Sequence, residues 1–182
     1  LFLHADTLLA LPDSIGKQVI HASERVKFFK SDLQGKADSL TYAESDSLLS
    51  LFGKPIIWSK ENQISGDQID LTLNGGKIRE MHIDKNSFII SEAIPGKYNQ
   101  IKGKKTIGYF TDNSLRRIDV FGNGQIVYFP SEEKDGRTSI SGLNRVDCSD
   151  VSLEVKENEI VKVALLTKPS GALHPLQKAQ ES

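Results

Sequence analysis

Short runs of alternating apolar and polar residues constrain this chain more than any other feature. In the segment 69–73, IDLTL, three apolar side chains fall on one face of an extended strand and the polar ones on the other. Helical periodicity is nearly absent, so the sequence predicts an all-β fold of a dozen or more short strands. Further apolar alternations are Phe88 with Ile90, Ile118 with Val120, Val151 with Leu153 and Val155, and Val161 with Val163 and Leu165.

Turn-forming residues separate these runs and predict hairpins between them. Examples are Asn74-Gly75-Gly76, Gly122-Asn123-Gly124 and Asp135-Gly136. The stretch FGNGQ superficially resembles a phosphate-binding loop, but it lacks a downstream glycine and a following helix, so a tight hairpin is predicted. The segment 47–52 fits two turns of a helix, yet its counterpart in the first repeat contains Pro12, and we therefore predict a strand.

The chain also repeats itself. Ala5-Asp6-Thr7-Leu8 resembles Ala37-Asp38-Ser39-Leu40, and similar units follow at intervals of roughly 30 to 40 residues. A unit of this size cannot bury its apolar face alone, whereas stacked units form a continuous apolar surface. The repeats therefore predict a long trough or sandwich. The residues that anchor the five units are Leu3, Gly35, Gly66, Gly103 and Gly142.

Length and composition bound the class of protein. With 182 residues and 38% hydrophobic content, we expect one domain over residues 1–168 and a polar, loosely held tail over 169–182. The net charge of -1 gives no general attraction to nucleic acid, so no nucleic-acid partner is expected. No apolar run approaches the ~18 residues of a transmembrane helix. Because the chain begins at Leu1, we expect a fragment or a processed product from which any signal peptide is already gone.

No catalytic or metal-binding set stands out. Cys148 is the single cysteine, which excludes an internal disulfide and a thiolate metal site. Carboxylate pairs such as Asp67 and Asp70 show no sign of burial, so we predict neither an enzyme nor a cofactor nor a metal ion. The histidines lack the spacing of metal ligands, and they are His4, His21, His82 and His174.

A basic cluster supports two interpretations. Lys102 and Lys104 project from one face of an extended segment, so together they could hold phosphate groups. Alternatively, the charges prevent an edge strand from pairing with other chains. The whole cluster comprises Lys97, Lys102, Lys104, Lys105, Arg116 and Arg117.

Several segments resemble a known family. The stretches LFGKPIIWSKENQISGDQID, YNQIKGKKTIGYFTDNSLRRIDVFGNGQIVYF and ISGLNRVDC are similar to the OstA/LptA-type repeat of lipopolysaccharide transport proteins and of the periplasmic part of the outer-membrane translocon. The resemblance extends from about Leu3 to Lys168. It implies a repeat-built β-jellyroll whose two sheets form an open, V-shaped sandwich in the periplasm. It also implies that lipid A acyl chains lie in an apolar groove, and that copies join head to tail or join other Lpt-type envelope components.

Such a carrier needs apolar surface rather than reactive groups. An acyl chain of ~12 carbons costs on the order of 10 kcal/mol to expose to water, at about 0.8 kcal/mol per methylene. Lys102 and Lys104 are the candidate contacts to the phosphates of the headgroup. The candidate groove residues are Phe28, Trp58, Ile69, Leu71, Leu73, Phe88, Ile90, Ile118, Val120 and Tyr128.

Two other function classes remain open at this point. One is a closed β-sandwich that acts as a structural or protein-interaction module of the cell envelope and carries no lipid. The other is a glycan-processing β-fold enzyme, which needs acids or aromatic residues clustered in a cleft. The sequence shows no such cluster.

Overall fold

The computed structural model describes residues 2–30, 33–59, 62–134, 137–156 and 159–175. In these residues the chain forms sixteen β-strands and no helix, so the predicted all-β fold is confirmed. Residues 135 and 136, predicted as a turn, lie outside the described residues. The strands are β1 Phe2–His4, β2 Thr7–Pro12, β3 Gln18–Lys30, β4 Leu33–Ala43, β5 Leu48–Phe52, β6 Ile56–Ser59, β7 Asn62–Ser65, β8 Gln68–Asn74, β9 Lys77–Ile94, β10 Lys97–Thr111, β11 Ser114–Tyr128, β12 Ser131–Lys134, β13 Arg137–Ile140, β14 Gly142–Lys156, β15 Glu159–Leu166 and β16 Ser170–Pro175.

One antiparallel sheet of fourteen strands folds back on itself to make two layers, while β12 and β13 pair separately. Strands β3, β4, β9, β10, β11 and β14 each contribute one half to each layer. Layer A follows the order β2, β3, β4, β5, β8, β9, β10, β11, β14 and β15. Layer B follows the order β1, β3, β4, β6, β7, β9, β10, β11, β14 and β16. This is the predicted β-jellyroll, but with strands of up to 18 residues rather than only short ones.

The strands pass from one layer to the other along a single line, which we call the bend line. Pairs of residues with positive φ mark it at Glu24-Arg25, Lys85-Asn86, Gly122-Asn123 and Thr167-Lys168. The strand pairings shift register at or beside several of these pairs, as β-bulges do, and a bulge bends its strand. The predicted hairpin at 122–124 is therefore wrong. Positive φ serves bulges as well as tight turns, so the sequence signal is the same for both.

Aspartates of the repeat hold the bend line together. The backbone N–H of Asp6 donates to the carbonyl of Glu24 at 3.0 Å, and that of Asp67 donates to the carbonyl of Lys85 at 3.1 Å. The carboxylates reinforce both corners, since Arg25 Nε donates to Asp6 at 2.8 Å and Asn86 Nδ2 donates to Asp67 at 3.1 Å. Asp6 and Asp67 thus mark two corners of the sheet.

Glycines recur in the repeat because backbone and side chains meet closely near the bend line. A Cβ atom on Gly66 would lie 2.3 Å from Ile83 Cγ2, and one on Gly103 would lie 2.2 Å from Val120 Cγ1. Both distances are far shorter than a van der Waals contact. The anchoring glycines are therefore required by packing.

The inner faces of both layers form one apolar core. In layer A, cross-strand neighbours in the row nearest the bend line are Leu8, Ala22, Leu40, Leu51, Ile69, Ile83, Thr106, Val120, Val151 and Leu165. An inner row of layer B is Leu3, Phe28, Gly35, Ile57, Ile64, Ile89, Ile101, Ile126, Val146 and Gly171. Rows of this kind stabilise a sheet through contacts between side chains on neighbouring strands.

Part of the predicted tail is ordered as a strand. Ser170–Pro175 forms β16, which pairs with the first half of β14 and is the last strand of layer B. The expectation of a loosely held segment therefore does not apply to these six residues, although all of them are exposed. The domain boundary between residues 168 and 169 stays a prediction.

Replacing Gly103 by valine should destabilise the fold, because the added side chain would overlap Val120. We expect a loss of at least about 2 kcal/mol in the free energy of unfolding, measured by urea denaturation. The matched control is Gln100→Ala on the exposed face of the same strand, with an expected change within about 0.5 kcal/mol. Equal stability of the two variants would contradict the close packing described at the bend.

Candidate functional site

An open groove of about 390 Å³ lies between the two layers, at the end of the sandwich that β1–β10 build. Its volume falls within the usual range of small-molecule sites, roughly 300–1,000 Å³. Layer A contributes Ile20, Leu40, Tyr42, Leu49, Leu71, Leu73, Gly76, Ile78, Met81, Phe110 and Asn113. Layer B contributes Leu3, Phe28, Lys30, Leu33, Ile57, Ser59 and Ile64.

Burial decreases from the floor of this groove to its mouth. Along β8, Leu71 is 2% exposed, whereas Leu73, two residues further from the bend line, is half-buried. Along β3, Phe28 is 5% exposed and Lys30 is half-buried. The layers are therefore closed at the bend line and open at the opposite side, as in the predicted V-shaped sandwich.

The rim of layer A is fixed by polar contacts between two hairpin turns. Lys77 Nζ donates to Asp112 Oδ1 at 2.6 Å, and the backbone N–H of Ile78 donates to Asn113 Oδ1 at 2.8 Å. The hydrogen bond and the charge of Lys77 lower the pKa of Asp112 from its ordinary value. These contacts hold the half-buried Ile78 at the mouth of the groove.

The predicted groove residues fall into three groups, the first of which lines the groove. Phe28, Leu71 and Leu73 belong to this group. The second group lies in the closed core, where Ile69 and Val120 are fully buried and Ile118 is 3% exposed. Tyr128 is half-buried against the same core, and its hydroxyl accepts a hydrogen bond from Asn144 Nδ2 at 2.7 Å.

The third group, Trp58, Phe88 and Ile90, lies on the outer face of layer B. Their neighbours Ile57 and Ile89 point into the core instead, with 1% and 4% exposure. Trp58 and the pair Phe88 and Ile90 each belong to a run of consecutive apolar residues. Alternation alone therefore does not show which side chain of the run faces inward. The indole of Trp58 remains 37% exposed, and its Nε1 donates to Gln63 Oε1 at 3.0 Å.

Sequence reasoning missed most of the half-buried rim. Its apolar members are Leu3, Ile20, Leu33, Tyr42, Leu49, Ile78 and Phe110. The alternation of Leu40 with Tyr42 and of Leu49 with Leu51 contains the signal for some of them. What the sequence lacks is the pairing that brings β1, β5 and β9 to one end of the sandwich.

The lysines predicted to bind phosphate lie elsewhere, on the outer face. Lys102 and Lys104 line a cleft of about 700 Å³ together with Lys85, Gly103 and Cys148, among others. None of the groove residues lines this cleft. Burial raises the pKa of the Cys148 thiol above its ordinary value, and the carboxylates of Asp150 and Asp147 raise it further.

The described ranges contain no group of three metal-ligating side chains. In the same part of the chain, no helix has the length and apolar character needed to traverse a bilayer.

Comparisons with known proteins agree with this architecture. Residues 3–77 match the model of a family described as LptA/(LptD N-terminal domain) LPS transport protein, so the resemblance to this family is confirmed over these residues. The fold is similar to the crystal structure of LptH from Pseudomonas aeruginosa, described as the LptA homologous periplasmic component of a lipopolysaccharide transport device. The TM-score is 0.58 at 10% sequence identity, and the match covers 79% of this chain and 95% of that chain. No curated protein matches the sequence.

A charge at the mouth of the groove should weaken the binding of apolar molecules. We expect Leu73→Lys to bind the apolar fluorescent dye N-phenylnaphthylamine about tenfold more weakly than the unmodified protein, since it removes apolar surface worth about 1.5–3 kcal/mol. Thr72→Lys adds the same charge on the opposite face of β8 and should bind within about twofold of the unmodified protein. Equal effects of the two variants would show that the dye does not enter the groove.

Proposed function

We propose, from the match of residues 3–77 to the LptA-type family of lipopolysaccharide transport proteins, that this chain is a periplasmic lipopolysaccharide carrier. In this proposal the groove between the layers shelters acyl chains of lipid A. The observation that carries it is the open, apolar groove, whose half-buried Leu49, Leu73 and Phe110 are available to a ligand.

The energetics of acyl chains fit a groove of this kind. Exposing an acyl chain of ~12 carbons to water costs on the order of 10 kcal/mol of free energy. Transport through an aqueous compartment therefore requires apolar cover. The gradient of burial supplies a closed floor and an accessible mouth. No step of this function requires bond making or breaking, and the proposal therefore includes no catalysis.

Both ends of the sandwich offer strands for assembly. Among the described strands, β1 and β2 pair only with β3 at one end, and β15 and β16 pair only with β14 at the other. Apolar side chains remain exposed at both ends, and they are Phe2, Leu8, Leu9 and Leu11 at the first and Val161, Leu166 and Leu173 at the second. Exposed strand edges bind further strands through backbone hydrogen bonds. We propose that these ends join head to tail with copies of the chain or with other Lpt-type components.

The same exposed ends support a second candidate, an envelope module that binds proteins and carries no lipid. The two candidates differ in the use of the groove. Crosslinking of lipid to residues inside the groove distinguishes the two candidate functions.

A photo-crosslinker placed in the groove should capture lipopolysaccharide. We expect p-benzoylphenylalanine at position 49 or 73 to form adducts with purified lipopolysaccharide, detected by an immunoblot for the lipid. The same residue at position 72 or 79, on the outer face, should give at least fivefold less adduct. Phospholipid serves as the competing ligand. Adducts of equal yield at all four positions would refute lipid carriage and favour the protein-binding module.

Sedimentation should reveal concentration-dependent assembly through the end strands. We expect the weight-average mass of the unmodified protein to rise with concentration. The double variant Leu9→Lys, Leu11→Lys places charges on β2 and should shift assembly to at least tenfold higher concentration. Thr72→Lys, inside layer A, is the control. A mass independent of concentration in all three proteins would contradict head-to-tail joining.

A further inference from the structure

A cationic cleft on the outer surface is not explained by lipid carriage in the groove. We propose that Lys85, Lys102 and Lys104 form a binding site for a multiply charged, phosphate-bearing anion. The inference concerns a different cavity and does not rest on the proposed function.

The sheet brings the three lysines together from two neighbouring strands. Lys102 in β10 lies between its cross-strand partners Phe88 in β9 and Gln125 in β11. Gly103 faces inward against Val120, so Lys102 and Lys104 both face outward. Lys85 joins them at the bend of β9, where its φ is 59°.

The cleft carries an excess of positive charge. Its acidic lining residue is Asp147, which already accepts a hydrogen bond from Gln125 Nε2 at 2.9 Å and lies 3.7 Å from Arg145 Nε. Within the part of the chain that the structure describes, no ion pair involves Lys85, Lys102 or Lys104. A cleft lined mainly by one sign of charge focuses its field and concentrates ions of opposite charge.

Protection of a sheet edge does not explain these lysines. Strand β10 is paired with β9 on one side and with β11 on the other, so it has no free edge to protect. That alternative, left open by the sequence, therefore fails for Lys102 and Lys104. Three cations in one cleft repel each other, and an anionic ligand would relieve this repulsion.

The shape of the cleft also suits a phosphate-bearing ligand. The stem of Lys104 packs over Gly122, since a Cβ atom on Gly122 would lie 3.2 Å from Lys104 Cβ. This contact restricts the side chain near the cleft, and Asn86 and Asn123 add amide groups to its lining. Lysine ammonium groups bind phosphates as point charges. The volume of about 700 Å³ accommodates more than one phosphate group.

Isothermal titration with inorganic pyrophosphate at low ionic strength tests the site. We expect the triple variant Lys85→Gln, Lys102→Gln, Lys104→Gln to bind pyrophosphate at least tenfold more weakly than the unmodified protein. The control is a second triple variant that removes the same total charge from exposed positions outside the cleft. Its substitutions are Lys27→Gln, Lys54→Gln and Lys156→Gln. Its affinity should change less than threefold. If both variants lose affinity equally, or if the unmodified protein binds no pyrophosphate, the proposal is wrong.

Two further measurements keep the result interpretable. Amide chemical shifts of Gly103 and Gly124 should move on addition of pyrophosphate to the unmodified protein, and unchanged shifts would overturn the assignment even if the triple variant fails to fold. Titration with deacylated lipopolysaccharide, a phosphorylated saccharide, distinguishes the source of the phosphate. Tighter binding than pyrophosphate identifies a lipid headgroup, whereas binding no tighter identifies a free phosphate compound.

Failure of this site and failure of lipid carriage give different results. The triple variant should retain N-phenylnaphthylamine binding in the groove, and Leu73→Lys should retain pyrophosphate binding in the cleft. Loss of both activities in either variant would contradict two independent sites.

Discussion

The fold depends on bending one continuous sheet without breaking its hydrogen-bonded ladder. Six long strands pass through the bend line and pair with neighbours on both sides of it, so each needs a local conformation that redirects the chain. Consecutive residues with positive φ provide it in β3, β9 and β11. For residues other than glycine this conformation costs roughly 1–2 kcal/mol each. Hydrogen bonds at Asp6 and Asp67 offset part of that cost.

The bend line determines where the molecule is closed and where it is open. Rows of apolar residues beside it face each other at short range, and glycine replaces a larger side chain where the approach is closest, as at Gly66 and Gly103. Further along the same strands the layers separate, and residues such as Leu73 and Tyr42 lose part of their cover. The groove is thus a geometric consequence of a sheet folded along one line.

Much of this architecture could be predicted from the sequence because local alternation was clear. On β8 and β11, aspartates alternate with apolar residues, and the inward positions Ile69, Leu71, Ile118 and Val120 are buried as expected. In the apolar runs around Trp58, no such contrast exists. There, cross-strand neighbours decide which residue is buried.

Other features depended on information that the sequence does not contain. The motif at 122–124 has the same residues whether it forms a hairpin or a bulge, and only pairing of β11 with β10 and β14 selects the bulge. The groove rim required knowledge of which strands share one end of the sandwich. The lysine cleft required the bend to bring Lys85 beside Lys102.

The inner and outer surfaces of the bend line have opposite chemistry for one physical reason. Inside, residues must be small or apolar because the layers converge, as Gly103 and Val120 show. Outside, the same bend turns alternate residues away from the core and into water, so charged side chains such as Lys102 and Lys104 are tolerated there. A sheet folded in this way carries apolar side chains on the inner surface of its bend and charged side chains on the outer surface.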